Sequence, residues 1–219
     1  MSGYKISKDM VEQVLDKKFI KVYDLQYDEG RHYLDATRRS LDELVAIKTE
    51  DEFKKMLPDA VSCVVIIDND GDEPKLLLSY EYRYPAGRFI LGVPAGLIDE
   101  SDKAFEYPVL ETAKREILEE TGIRIDTSRD RLSVINPLLF STPGMTDESN
   151  ALVLAVLTNA DLSTLTQAGA EEQECFDGFA LLTKEQAGQI LKKGIDDRGH
   201  FYSVYTWAAL MFFYTDMWE

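Results

Sequence analysis

Three glutamates lie close together in the stretch Arg115–Ile123, at a spacing that suits metal-ion chemistry. Glu116, Glu119 and Glu120 occupy positions i, i+3 and i+4, which places three carboxylates on one face of a helix. Like charges at that spacing repel one another, and a hard cation between them removes the repulsion. Carboxylate oxygens suit Mg²⁺ or Mn²⁺, which keep positions free for water and substrate phosphates. For the glutamates alone, a solvated acidic helix face is the alternative interpretation.

A loop shaped by proline and glycine, Val93–Asp99, precedes the acidic helix. A glycine-led loop followed by a helix that reads Arg-Glu-apolar-any-Glu-Glu-any-Gly-apolar resembles the Nudix box. The second half of that box matches at every position of Arg115–Ile123. The resemblance implies that the three glutamates and the Ala95 carbonyl hold Mg²⁺ or Mn²⁺, with Glu120 at the catalytic centre. It also implies that Arg115 holds the glutamates in position.

The first half of the box departs from the pattern at one point. The family carries a glutamate six residues after the glycine and the arginine eight residues further on. Here Asp102 stands six residues after Gly96, and Arg115 follows thirteen residues later. The difference places a five-residue insertion within Lys103–Pro108, which we expect to form a longer loop or helix start.

Two further positions near the box concern the substrate. The stretch Tyr80–Tyr84 resembles the Gln-Tyr-Arg strand end of the ADP-ribose pyrophosphatase branch, although Glu81 replaces the usual glutamine. That resemblance implies that Arg83 contacts the diphosphate, since a guanidinium grips phosphate with two hydrogen bonds. A surface arginine paired with an acid is the alternative. Enzymes of this branch also carry Glu-Leu-Pro-Ala-Gly at the box loop, where this chain has Gly92 in place of the acid. By the same resemblance, Gly96 of this loop is a substrate-binding candidate.

Two acidic loops follow the box. Thr142–Glu148 resembles the Ser-Pro-Gly loop of the same branch, which makes Glu148 a candidate for substrate contact. The run Glu171–Glu174 precedes a strand where the branch carries a catalytic glutamate, so Glu172 and Glu174 are the catalytic candidates. A Pro-Gly turn and a solvated acidic loop are the alternative interpretations.

The first quarter of the chain, residues 1–58, has the pattern of a small hairpin-bearing extension. We expect a helix, a two-stranded hairpin and a short helix, over Lys8–Lys18, Ile20–Gln26 with Arg31–Ala36, and Glu50–Leu57. Residues 1–58 are too few to rely on a core of their own, so they must pack on the rest or on a second copy. By resemblance to the branch, such an extension exchanges between subunits, which implies a homodimer.

Residues 59–219 have the pattern of a strand-rich domain. The expected strands are Val61–Ile67, Lys75–Tyr82, Arg88–Val93, Leu132–Leu139, Ala151–Leu157 and Phe176–Leu182. Helices are expected over Pro108–Glu120, from Thr183 to about Gly194, and over Phe201–Tyr214. Helices separated by several strands indicate an α+β class. The resemblance makes this domain a Nudix-type α/β/α sandwich with a mixed sheet.

The charge of the chain limits the classes of partner. The formal net charge is −16, which repels nucleic-acid phosphates and anionic lipid surfaces. We therefore expect no nucleic acid polymer and no membrane as partner, and a cytoplasmic protein. A small anionic nucleoside diphosphate substrate remains compatible when a divalent cation screens the carboxylates.

Together these features predict a metal-dependent hydrolase of a pyrophosphate bond in nucleotide metabolism. ADP-ribose, cut to AMP and ribose 5-phosphate, is the leading substrate by resemblance. The alternatives are hydrolysis of another sugar nucleotide or of a nucleoside triphosphate, and a non-catalytic nucleotide-sensing module.

Overall fold

The computed structural model describes residues 5–170 and 174–219. The chain divides into two compact units. Unit 1 comprises Met1–Asp59 with Leu138–Asn150, and unit 2 comprises Ala60–Pro137 with Ala151–Glu219. Within the described ranges, every helix is too short or too polar to cross a membrane.

Unit 1 contains a three-stranded antiparallel sheet and one short helix. The strands lie in the order β1-β2-β3, and the elements are β1 (Val11–Asp16), β2 (Lys21–Asp28), β3 (Arg31–Thr37) and α1 (Glu50–Phe53). The predicted hairpin is confirmed, with Gly30 at φ 66° in its turn. The predicted helix Glu50–Leu57 is shorter than expected, and Thr49 and Glu52 form its capping box.

The helix predicted for Lys8–Lys18 is wrong. Val11 pairs with Leu25 and Leu15 pairs with Val22 in the β1–β2 ladder, with a bulge between Gln13 and Leu15. Two apolar residues four apart share a face in a helix and also in a regular strand, so this short pattern did not separate the two. The ladder with β2 decides the conformation.

A partly buried ion-pair network joins the two segments of unit 1. Arg39 donates to Asp59 Oδ2 at 2.6 Å and to Ser149 Oγ at 3.1 Å, and its Nε lies 3.5 Å from Asp147 Oδ2. Burial, followed by the charge of Asp147, raises the pKa of Asp35 to about 6. Asp35 in turn accepts a hydrogen bond from the Asp147 backbone N–H at 3.0 Å. The loop that carries Glu148 is therefore anchored within unit 1.

Unit 2 is built on a sheet of seven strands. They are β4 (Ala60–Asp68), β5 (Lys75–Arg83), β6 (Arg88–Gly92), β7 (Ala95–Leu97), β8 (Arg131–Phe140), β9 (Ser149–Thr158) and β10 (Phe176–Leu182), with the ends of β8 and β9 belonging to unit 1. The order is β10-β5-β4-β9-β8, with β6 paired to β5 and β7 to β4. All six strands predicted for this region are confirmed. Strand β7 was expected to be part of a loop, because three residues around a glycine are too short to show strand periodicity.

Helices cover both faces of the central strand β4. The helices of unit 2 are α2 (Pro108–Thr121), α3 (Lys184–Lys193) and α4 (Val204–Tyr214), and both α2 and α4 contact β4. The side chains of β4 are accordingly buried along almost the whole strand. The α+β class and the helix-sheet-helix layering are as predicted.

Helix α2 has clear sequence boundaries at both ends. Pro108 occupies its first turn, and Gly122 ends it at φ 75°. Ala113 and Ile117 are fully buried against the sheet. The predicted insertion is a loop with a short 3₁₀ turn, Asp102–Ala104, before the helix begins. The glutamates therefore lie on a helix whose adjoining apolar stripe is fixed in the core.

Replacing Gly122 by alanine should destabilise the protein more than the matched change Gly194→Ala. Both glycines end a helix in the left-handed conformation, at φ 75° and 77°, so both changes carry a strain of about 1–2 kcal/mol. A Cβ at Gly122 would also lie 2.6 Å from Thr166 Cγ2 and 2.8 Å from the Thr164 carbonyl oxygen, whereas Gly194 has open space. Urea unfolding of both variants measures the difference. Equal losses of unfolding free energy would show that the contact with Thr164 and Thr166 is unimportant.

Candidate active site

The carboxylate of Glu116 lies directly against the backbone of the box loop. Strand β7 pairs antiparallel with β4, with Gly96 opposite Val61, and α2 packs on β7. A Cβ built on Gly96 would lie 1.9 Å from Glu116 Oε1, a distance that no side chain can occupy. Glycine at position 96 is therefore required by the position of the Glu116 carboxylate.

Glu120 is held by the same loop, one helical turn further on. The Ala95 backbone N–H donates to Glu120 Oε1 at 3.1 Å, and the residue is only 4% exposed. Burial raises the pKa of Glu120 well above its ordinary value; the Ala95 N–H opposes the shift, and the charges of Glu116, Glu174 and Glu81 add to it. Four acidic groups of unit 2 thus act on one another at this place.

Arg115 holds the other two glutamates of the helix. Its Nη1 lies 2.8 Å from Glu116 Oε1 and 2.9 Å from Glu119 Oε2, and its Nη2 donates to the Leu97 carbonyl at 2.8 Å. Burial raises the pKa of Glu116 to about 7; Arg115 opposes this rise and Glu119 adds to it. Arg115 therefore positions the glutamates, as the sequence predicted.

Asp102 takes the place of the glutamate that the box pattern carries. It is 5% exposed, and its Oδ2 accepts hydrogen bonds from Arg115 Nη2 and Thr112 Oγ1, both at 3.0 Å. The Asp99 backbone N–H donates to the same oxygen at 3.2 Å. Burial works to raise the pKa of Asp102, but the hydrogen bonds from Arg115, Asp99 and Thr112 outweigh it and lower the pKa. The shorter acid and the longer loop still anchor the arginine.

Two further carboxylates, those of Glu81 and Glu174, lie near the glutamates of α2 at the ends of β5 and β10. Glu81 pairs with Phe176 in the β5–β10 ladder, and the Tyr82 N–H donates to the Cys175 carbonyl at 2.8 Å. This pairing brings Glu174, at the entrance to β10, beside the end of β5. Burial raises the pKa of Glu81, Arg83 opposes the shift, and Glu174 adds to it. Glu174 also raises the pKa of both Glu116 and Glu120.

Arg83 forms an ion pair within the same strand. Its Nη2 lies 2.6 Å from Glu81 Oε2, with the arginine side chain 53% exposed and the glutamate side chain 12% exposed. This contact agrees with the alternative interpretation of Arg83 given above, a surface arginine paired with an acid. It leaves the predicted contact with a diphosphate open, because the guanidinium has further donors that face solvent.

Comparison with known proteins identifies the family. Residues 56–204 match the NUDIX domain. The chain belongs to the Nudix family.

Several relatives are similar to this Nudix chain over part of its length. An uncharacterised Nudix hydrolase of Schizosaccharomyces pombe is 31% identical over 143 residues, which cover 62% of this chain and 63% of the relative. An ADP-ribose pyrophosphatase of Mycobacterium tuberculosis is 37% identical over 92 residues, 42% of this chain and 39% of the relative. One of Bacillus subtilis is 27% identical over 135 residues, 62% and 63% of the two chains. The chain thus spans less than two thirds of each of these relatives.

A solved structure also shares the fold. It is described as an ADP compounds hydrolase, with a TM-score of 0.54, 20% identity, and coverage of 95% of this chain and 90% of that chain. At this identity, the likeness supports the Nudix fold alone.

The donor groups of the Nudix helix suit a divalent cation. Among the described residues, no three acidic, histidine or cysteine side chains converge closely enough to hold an ion as they stand. Arg115 and the Ala95 N–H satisfy the glutamate oxygens in this conformation. The set nonetheless consists of hard oxygen donors beside a glycine that leaves room for them, and burial raises the pKa of two of these groups, Glu116 and Glu120. The chemistry of these residues therefore fits a divalent cation.

The remaining predicted residues are distributed between the two units. Glu172 lies outside the described residues. Glu148 belongs to unit 1, where Arg38 Nε donates to its Oε2 at 2.9 Å. Glu81 was not predicted from the sequence to join Glu116, Glu120 and Glu174 in what we call the carboxylate cluster. Its membership follows from strand pairing, and the acid in place of the usual glutamine was the only indication in the sequence.

Gly96→Ala should weaken metal binding while the protein stays folded. The new methyl group must displace the Glu116 carboxylate, so we expect the dissociation constant for Mn²⁺ to rise by about tenfold or more. Calorimetric titration with Mn²⁺ measures it, and circular dichroism checks the fold. Gly92→Ala is the matched control, because its Cβ would lie 3.9 Å from the nearest atom, the Ser79 carbonyl oxygen. Equal Mn²⁺ affinity in both variants would contradict the role of the Gly96 contact.

Proposed function

We propose that this chain is a metal-dependent pyrophosphohydrolase that cuts ADP-ribose to AMP and ribose 5-phosphate. The observation that carries the proposal is the pair of buried carboxylates, Glu116 and Glu120, held against the Gly96–Ala95 loop of a Nudix domain. Burying several acids together is unfavourable unless positive charge compensates them. A substrate with a diphosphate, bound together with divalent cations, supplies a reason for this arrangement.

The choice of ADP-ribose rests on the relatives. Two of them are named ADP-ribose pyrophosphatases, and one aligns over 135 residues. The Arg83 strand end and the Glu148 loop support the same branch by resemblance. Other nucleoside diphosphate sugars share the diphosphate, so they are the nearest competing substrates.

The residues divide into three groups by role. Glu116, Glu119, Glu120 and the Ala95 carbonyl would hold Mg²⁺ or Mn²⁺. When bound, the cation neutralises charge on the phosphates and makes water more acidic. Arg115, fixed by Asp102, keeps two of the glutamates in position.

Glu174 or Glu172 serves as general base in this proposal. Glu174 lies close enough to Glu116 and Glu120 to raise the pKa of both. A carboxylate at that place can accept a proton from the attacking water. The water oxygen bonds to one phosphorus, and the bridging P–O bond breaks to release AMP and ribose 5-phosphate. Arg83 and Glu148 are the substrate-binding candidates, with Gly96 providing close backbone approach.

Glu120→Gln should lower kcat for ADP-ribose by roughly hundredfold or more at saturating Mg²⁺, because it removes a charge from the metal-binding face. Glu111→Gln is the matched control on the same helix, since Glu111 pairs with Lys114 outside the metal-binding set. Steady-state kinetics with thermal melting separates loss of activity from loss of fold. Normal turnover by the folded Glu120→Gln protein would rule out the proposed role of this helix.

A substrate panel tests the rest of the proposal. ADP-ribose, other sugar nucleotides, dinucleoside polyphosphates and nucleoside triphosphates are compared at equal Mg²⁺. ADP-ribose should give the highest kcat/KM. If another compound does so, the substrate assignment is wrong. If nothing is hydrolysed while ADP-ribose raises the melting temperature, the chain is a nucleotide sensor.

We also propose that the protein is a homodimer through unit 1. Its small sheet leaves Phe19 57% exposed and Leu34 59% exposed, an apolar surface that a second copy would cover. The double change Phe19→Asp with Leu34→Asp should convert the dimer to a monomer in light scattering. Val204→Asp in unit 2, where the residue is 54% exposed, is the control and should leave the mass unchanged. A monomeric wild-type protein would refute the proposal.

A further inference from the structure

Two arginines stand directly opposite each other at the turn end of the β5–β6 hairpin. Arg83, the last residue of β5, pairs with Arg88, the first residue of β6. Directly paired residues on adjacent strands point to the same side of the sheet, with Cβ atoms about 4.5–5.5 Å apart. The turn between them is tight, a 3₁₀ turn over Tyr84–Ala86 that Gly87 closes at φ 64°. The hairpin therefore fixes the spacing of the two side chains.

This pairing places two like charges side by side. Like charges opposite each other on adjacent strands destabilise a sheet. The chain has 24 lysines and arginines against 40 acidic residues, so two adjacent arginines are not explained by a generally basic surface. Both arginines are exposed, and a compensating anion can therefore reach them from solvent.

One acid already orients one of the two guanidinium groups. Glu81 lies two residues before Arg83 and therefore on the same face of β5, and their side chains meet at 2.6 Å. Arg88 instead donates its Nε to the Ala86 carbonyl at 3.3 Å. That bond uses one of five N–H donors of a guanidinium. Each arginine is thus held through one edge and keeps further donors for a ligand.

The arginine pair lies next to the carboxylate cluster, which contains Glu81 of β5 as well as Glu116 and Glu120 of α2. Glu81 shares the face of Arg83 and belongs to that cluster, since its charge acts on Glu120. Strand pairing also places Phe176, and with it the Glu174 segment, beside Glu81. An anion bound by the two arginines would lie at the edge of the place where the proposed reaction occurs.

We propose that Arg83 and Arg88 form a two-arginine clamp for the diphosphate, with Arg88 as a second substrate-binding residue and Glu81 as the residue that positions Arg83. The clamp rests on the proposed function for its substrate. Two planar guanidinium groups at this spacing offer paired donors to two neighbouring phosphates, which a single phosphate cannot fully use. The arrangement selects nucleoside diphosphates over nucleoside monophosphates.

The first test is the variant Arg88→Ala with the hydrolysed substrate. We expect KM to rise about tenfold, the effect of losing one charge-assisted pair, while kcat changes less than about threefold. Arg88→Lys should restore only part of the affinity, because an ammonium cannot form the forked contact. Arg129→Ala is the control, an exposed arginine of unit 2 that pairs with Asp126 and Asp130, and it should leave KM unchanged. An Arg88→Ala protein with the kinetics of the control would overturn the clamp.

Stability gives an independent measurement. Removing one of two opposed like charges should leave the melting temperature of the substrate-free protein unchanged or raise it. A lower melting temperature for Arg88→Ala would instead indicate a structural arginine and would contradict the proposal.

Competition by ADP and AMP tests the diphosphate assignment directly. In the wild-type protein with Mg²⁺, ADP should bind more tightly than AMP, and both Arg83→Ala and Arg88→Ala should reduce that preference. An unchanged ADP to AMP ratio in both variants would refute the clamp. Because binding is followed by calorimetry, this result is obtained whether or not ADP-ribose is hydrolysed. Failure of the proposed function appears only in the wild-type substrate panel, so the two outcomes can be told apart.

Discussion

The crowding of buried carboxylates against one stretch of backbone is the constraint on which the site depends. Glu116 occupies the volume where any side chain at position 96 would lie, and Glu120 is fixed by the Ala95 N–H. Bringing these acids out of water raises their pKa values and costs stability. The core of unit 2 supplies the stability, because Ala113 and Ile117 on the adjoining apolar stripe of α2 are completely buried. The helix cannot turn its acids toward solvent without withdrawing that apolar side from the sheet.

Arg115 offsets the repulsion among these acids, and Asp102 holds Arg115 in position. The arginine contacts Glu116 and Glu119 through one nitrogen and Asp102 through another, so its charge is shared among three acids. A partly buried arginine in such a network stays protonated at every relevant pH. The box motif tolerates an aspartate and a longer loop here because the 3₁₀ turn at Asp102 brings the shorter side chain within hydrogen-bonding distance of the arginine.

Features with a local cause in the sequence were predicted, and features created by strand pairing were not. Helix α2 was predicted because Pro108, the acidic face and Gly122 all act within a few turns of one another. The helix assigned to Lys8–Lys18 was wrong because spacing alone did not distinguish helix from strand, and the partner strand β2 decided it. The position of Glu81 beside the glutamates, and of Arg88 opposite Arg83, depends on register between strands. A single sequence does not reveal that register, so the places of these two residues in the site were found from the structure.

The charge of the whole chain bears on how an anionic substrate reaches the site. At a net charge of −16, the protein repels a free diphosphate at long range, and the repulsion is strongest at low salt. A nucleotide that arrives already paired with a divalent cation carries less negative charge and is repelled less. In the proposed site the acids and the two arginines would bind different parts of such a complex, since acids favour its cation and arginines favour its phosphates. Glu81 lies between the two groups, because its charge acts on Glu120 while its carboxylate holds Arg83.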